Sequence, residues 1–121
     1  LKKYLVGIVT GSIILASSIC AAADFEGVGN VPCSLLTSEY EDADAGFKEN
    51  LIVAVSQWAM GYMTGLNIRL PEDGRRELEN FNNATLAEKI FAACRLAPQE
   101  PVAVIVTEMY LDAPLFRPAI S

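Results

Sequence analysis

From Ala45 to Asn67 the chain reads AGFKENLIVAVSQWAMGYMTGLN. Its large apolar residues Phe47, Leu51, Val55, Trp58, Tyr62 and Leu66 recur at steps of four, four, three, four and four. That spacing lines them along one side of an α-helix, whereas a strand would send alternate members to opposite faces. Ile52, Ala59 and Met63 widen the stripe, and Lys48, Glu49, Asn50, Ser56 and Gln57 fall mostly outside it. Gly65 and Asn67 are suited to end the helix. No other segment is as long or as regular. A helix with one apolar side must be covered by other elements, so the fold has to be assembled around this one.

The flanking segments offer further helices as the cover. Pro32 suits a helix start, and Cys33, Leu36 and Tyr40 then share a face, which predicts a first helix from about Pro32 to Tyr40. Glu39, Glu41, Asp42 and Asp44 follow, but the run lacks the alternating acids, the glycine at the sixth place and the late glutamate of a calcium loop. It reads as a solvated connection whose acids favour the N-terminus of the next helix. Pro71 and Gly74 interrupt the polar stretch after Leu70. A short helical turn over Arg75–Phe81 would point Leu78 and Phe81 inward. Thr85 and Glu88 have capping-box spacing, and Leu86, Ile90, Phe91 and Cys94 form the inner face of a third helix that stops near Leu96, ahead of Pro98. Asn83-Ala84-Thr85 also matches a glycosylation sequon, with the capping role preferred. In PVAVIVTEMYL the β-branched run admits a strand. Pro101 at the first turn, Glu100 beside it and the stripe Val102, Ile105, Val106 and Met109 favour a fourth helix. The predicted architecture is all-α, a small four- to five-helix bundle, with residues 24–31 as a flexible leader, 32–113 as the helical domain and 114–121 as a tail.

The N-terminus points to export. Lys2 and Lys3 precede an apolar run from about Tyr4 to Ile19, and Ala21 and Ala23 supply an A-x-A cleavage pattern. Residues 1–23 therefore read as a signal peptide, and the periplasm as the expected compartment. Lipidation at Cys20 competes with this, but Ile19 is too large for the position before a lipidated cysteine. The run is also short of the roughly 20 residues of a membrane span. Two cysteines remain, Cys33 and Cys94. In an oxidising compartment such a pair in a small domain reads as a disulfide, with two buried free thiols as the alternative.

The charge balance excludes one class of partner. Fifteen Asp and Glu face nine Lys and Arg, a net charge of −6, and removing residues 1–23 takes away two lysines and no acid. Nucleic acid needs cations to neutralise its phosphates, so proteins are the expected partners, a homodimer among them, with no membrane contact after signal cleavage. The chain contains no histidine, the commonest general base and zinc ligand. It has no G-x-S-x-G, no phosphate-cradling glycine loop and no C-x-x-C. The carboxylate pairs Glu72/Asp73 and Glu77/Glu79 lie in a solvated stretch beside Arg75 and Arg76, where nothing would raise a pKa for acid–base work. No enzyme activity, metal or cofactor is expected. The remaining candidate is the central helix itself. Gly61 and Gly65 form G-x-x-x-G, which would let another helix approach near Trp58 and Tyr62. Core packing is the first reading of these residues and a protein-binding surface the second.

An early Cys33, a central W-x-x-G-Y-x-x-G (Trp58, Gly61, Tyr62, Gly65), and Cys94 followed by Pro98 resemble the HdeA/HdeB-like group of small periplasmic proteins, which includes acid-stress chaperones. The resemblance spans about Cys33 to Tyr110. It implies an all-α domain with Cys33 joined to Cys94, dimerisation at neutral pH, and release with partial unfolding in acid to bind denatured clients. The G-Y-x-x-G helix with a later cysteine and a closing helix is also similar to the Tai-type immunity proteins, which neutralise a secreted cell-wall amidase. The cysteine that those proteins usually carry near the position of Trp58 is absent here.

Overall fold

The computed structural model describes residues 27–117. Four α-helices follow a short 3₁₀ turn at Gly27–Asn30: α1 (Cys33–Asp42), α2 (Ala45–Arg69), α3 (Asn83–Leu96) and α4 (Val102–Asp112). A second 3₁₀ turn, Glu72–Gly74, lies in the α2–α3 connection. The protein is all-α with one disulfide, Cys33–Cys94, whose Cα atoms lie 4.8 Å apart. The expected signal peptide, its cleavage site and Cys20 lie outside the described residues, as do residues 24–26 and the last four of the tail.

Helix α2, about 37 Å long at the usual rise, is the spine, and α3 is its chief neighbour. Asp44 caps its N-terminus, accepting from Phe47 N at 2.8 Å. Its buried side is not centred on the apolar stripe. Val55, Ser56, Ala59 and Met63 are the buried residues, while Trp58, Tyr62 and Leu66 are half-buried and Phe47 is exposed. The inner line is thus turned by about one residue from the line of largest side chains. Small residues at its centre let α3 come close, and the bulky ones sit on the shoulders. Ser56, which the spacing places off the stripe, is fully buried, and its hydroxyl is satisfied there by donating to Asn83 O at 2.6 Å. The helix also runs past Gly65 and Asn67 to Arg69. Both residues lie inside it rather than ending it.

The third and fourth helices follow their predicted inner faces. Leu86, Ile90, Phe91 and Cys94 are buried in α3, and Val102, Ile105 and Val106 in α4, with Met109 half-buried and Tyr110 buried. The cap of α3 differs from expectation. Asn82, not Thr85, is the N-cap, and its side chain accepts from Thr85 N at 3.0 Å. Arg75–Phe81 is not helical and holds a single hydrogen-bonded turn, Phe81 N donating to Leu78 O at 3.2 Å, while the 3₁₀ turn falls earlier, at Glu72–Gly74. Leu78 and Phe81 nevertheless pack against the core.

Both flanks of the helical domain are hydrogen-bonded to it through the main chain. In the described part of the leader, Gly27 opens the 3₁₀ turn at φ +63°, a left-handed conformation that glycine adopts freely. Val31 O then accepts from Val102 N at 3.0 Å, satisfying a first-turn donor of α4. In the same way Cys33 N and Ser34 N of α1 donate to Glu100 O and Pro98 O, at 2.8 and 2.9 Å. The α3–α4 connection therefore caps α1, next to the disulfide. At the other flank, Glu77 N donates to Pro114 O and Phe116 N to Arg75 O, both at 2.8 Å. The described tail is thus paired antiparallel to residues 75–77 through Arg76 and Leu115.

Candidate functional site

The aromatic pair of α2 is a seam within the chain. Trp58 and Tyr62 stack with ring centroids 5.2 Å apart and planes 17° apart. A methyl group at Gly29 would meet Cη2 of the indole at 2.8 Å and overlap Cζ2 more severely, and it would touch the Ala103 side chain at 3.3 Å. Only glycine allows the N-terminal turn to lie this close to the indole. Tyr62 reaches α4. Thr107 Oγ1 donates its proton to Ala103 O at 2.7 Å, so across the 2.8 Å contact the tyrosine hydroxyl must be the donor to Thr107. The pair thus joins the turn, α2 and α4.

Gly61 and Gly65 do not take part in that seam. Both are exposed, and a Cβ at either would meet nothing within 4 Å. Among the described residues no helix comes close at these glycines. The close approach expected of G-x-x-x-G occurs instead at Gly29, which the sequence pattern does not single out.

A second constellation lies at the C-terminal end of α2, where the paired tail returns. Its hub is Asn67. The side-chain amide donates to Arg76 O and accepts from Arg76 N, both at 2.9 Å, as a neighbouring strand would. Its oxygen also accepts from the buried Tyr110 hydroxyl at 2.6 Å. The two arginines then reach helix ends. Arg75 Nε donates to Leu70 O, the C-cap of α2, at 3.3 Å, and Arg76 Nη1 donates to Ala113 O, the C-cap of α4, at 3.0 Å. Cations at these termini are favoured by the helix dipole. Arg76 Nε is buried without an acceptor.

Cavities open around this corner on several sides of Phe116. One of about 360 Å³ is lined by Thr64, Asn67, Ile68, Arg75, Arg76 and Phe116. Its lining contains two cations and no acid. A neighbouring cavity is lined by Glu72, Asp73, Leu115, Phe116 and Arg117, and a third includes Glu77 and Glu79. Ile68, Leu70, Leu115 and Phe116 are all exposed here, Ile68 at 75 %. Carboxylates and arginines are therefore interleaved around an apolar patch. Among the described residues no group of three or more metal-ligating side chains comes together, and no helix is long and apolar enough to cross a membrane.

Fold and site define a small one-disulfide helical protein with an apolar, arginine-bearing corner. No protein-family model matches the chain, nor does any characterised protein or solved structure.

Proposed function

We propose that this is an exported, periplasmic, non-enzymatic protein-binding protein, a stress chaperone of the HdeA/HdeB type that holds unfolded clients in acid. The observation that best supports this is the corner where residues 114–116 pair with 75–77. Ile68, Leu70, Leu115 and Phe116 are already part-exposed there, and their surroundings hold Arg75, Arg76 and Arg117 among Glu72, Asp73, Glu77 and Glu79. At neutral pH the two signs offset each other. In strong acid carboxylates are neutral while guanidiniums keep their charge, and the offset is lost. Mutual repulsion then favours release of the tail and exposure of the apolar end of α2, while the disulfide still holds α1 to α3. The reading predicts that the purified protein suppresses aggregation of a denatured test client near pH 3 and does not at pH 7. Equal inactivity at both values removes it.

A second reading, an immunity or inhibitor protein for a secreted cell-wall-degrading effector, draws on the same apolar side chains. They are exposed in the folded state and are available to a fixed partner without unfolding. It predicts one stable complex at neutral pH in pull-downs from exported or competitor-secreted proteins. An empty pull-down counts against it.

A further inference from the structure

We infer that the cavity between Ile68 and Phe116 is a binding site for a carboxylate that carries its own apolar group. Arg75 and Arg76 both line it. Each is anchored by a single N–H on a helix C-cap, Leu70 O for Arg75 and Ala113 O for Arg76. A guanidinium has five N–H donors, so donors remain on both. Among the described residues neither arginine lies within ion-pairing distance of a carboxylate, and the ion pair found there is Arg95–Glu41, on other elements. Two cations in a lining without an acid favour an anionic occupant, and the guanidinium fork matches the planar geometry of a carboxylate.

The rest of the lining decides which anion. Ile68 is 75 % exposed and Phe116 is 40 % exposed, so both present apolar surface to any occupant. A bare phosphate would leave that surface in water, whereas an anion with an alkyl or apolar side-chain body would cover it. Thr64 and Asn67, the other lining residues, are already engaged. Thr64 Oγ1 donates to Met60 O, and the Asn67 amide holds Arg76. The acids of this corner line neighbouring cavities: Glu72 and Asp73 one with Phe116 and Arg117, Glu77 and Glu79 another that shares Asn67, Arg76 and Phe116. Two sources share the required chemistry: the C-terminal carboxylate of a peptide ending in an apolar residue, and a short free fatty acid. The site belongs to the folded protein at neutral pH and does not depend on the acid-chaperone reading.

The test is calorimetric titration of the full chain at pH 7 with five probes. These are hexanoate, hexanamide, N-acetyl-Ala-Leu with a free carboxylate, the same peptide as its C-terminal amide, and inorganic phosphate. At least one carboxylate is expected to bind saturably, and its amide about tenfold more weakly, because a charge-assisted hydrogen bond is lost. Binding of hexanoate alone assigns the site to fatty acids, and binding of the peptide alone to peptide C-termini. Arg75→Gln, at an exposed position, should weaken the carboxylate by roughly tenfold while far-UV circular dichroism stays unchanged. Phe116→Ala should weaken it with the charge intact. The assignment is overturned by any of three results: no saturable binding, equal binding of acid and amide, or affinity for inorganic phosphate equal to that for the carboxylate. A carboxylate that binds Arg75→Gln as tightly as the natural protein also overturns it.

Discussion

At Gly29 and at Gly61 the same substitution should have opposite signs. A Cβ at Gly29 would run into the Trp58 ring, which is itself held by Tyr62. Gly29→Ala must push the N-terminal turn off α2, at a cost of about 1–3 kcal/mol typical of overpacking. At Gly61 and Gly65 the new methyl group meets nothing, and replacing a mid-helix glycine by alanine gains roughly 0.5–1 kcal/mol each. Urea unfolding of the three variants reads both effects. A stabilised Gly29→Ala, or a destabilised Gly61→Ala, would show that the packing around α2 is different. Asn67 is the other sensitive residue. Asn67→Ala leaves the buried Tyr110 hydroxyl and the main chain of Arg76 without their partner. The expected loss is about 2–4 kcal/mol, and Tyr110→Phe in the same background should recover part of it. These residues were poorly legible in the sequence because their roles are relational. Gly61 and Gly65 catch the eye by their spacing, yet nothing approaches them. Gly29 carries the close approach but sits in a stretch with no periodicity. Asn67 looks like a terminator because the residue type favours helix ends, and only its distant partners Arg76 and Tyr110 show otherwise.

Among elements, legibility follows how local the deciding force is. The inner faces of α3 and α4 were readable, since they depend on a spacing that each segment carries alone. The inner face of α2 was readable as a helix face, but its rotation was not. Which line of a widely apolar helix turns inward is settled by the neighbour, here α3, whose first residue Asn83 accepts from the buried Ser56. The main-chain pairing of the leader and tail was hidden for a related reason. Residues 31 and 114–116 are held by main-chain hydrogen bonds to distant segments, which leave no mark on side-chain pattern. The Cys33–Cys94 bond was legible by cysteine arithmetic, and its position assigns it a particular element. It holds α1, whose two first-turn donors are capped by the α3–α4 connection. Closing a loop across a separation of 61 residues is worth roughly 4 kcal/mol in the chain-entropy model. The Cys33→Ala/Cys94→Ala pair should therefore lose about that much in urea unfolding. Hydrogen exchange should rise most strongly in α1. If protection in α1 fell no more than in α4, the bond would be acting on the whole molecule and not on the docking of that helix.

For the whole molecule, the question is what acid does to a chain this rich in carboxylates. Net charge alone is a weak lever on where the chain opens. Fifteen acids and nine cations give −6 at neutral pH, and protonating the acids leaves the nine cations, so global self-repulsion grows in acid without singling out one part of the molecule. Loss of ion pairs is a weak lever too. The pair found among the described residues, Arg95–Glu41, is long at 3.9 Å and exposed on both sides, a kind that contributes little. What changes is the local balance. Around Phe116, neutral acids leave the charges of Arg75, Arg76 and Arg117 without an offset. Acid opening should therefore begin where residues 114–116 meet 75–77 and reach the Trp58 seam only later. Amide exchange at pH 3 should show Glu77 and Phe116, whose N–H groups make that pairing, losing protection before Val102. Trp58 fluorescence should shift at lower pH than the exchange of those two amides. Added salt should delay the first step, because repulsion between exposed charges is screened within about 10 Å at 0.1 M. Arg75→Gln should delay it as well by removing one of the repelling charges. If the Trp58 shift and the loss of protection at Phe116 coincide, and neither salt nor Arg75→Gln moves them, the molecule opens as one unit and the arginine corner is not its acid-sensitive part.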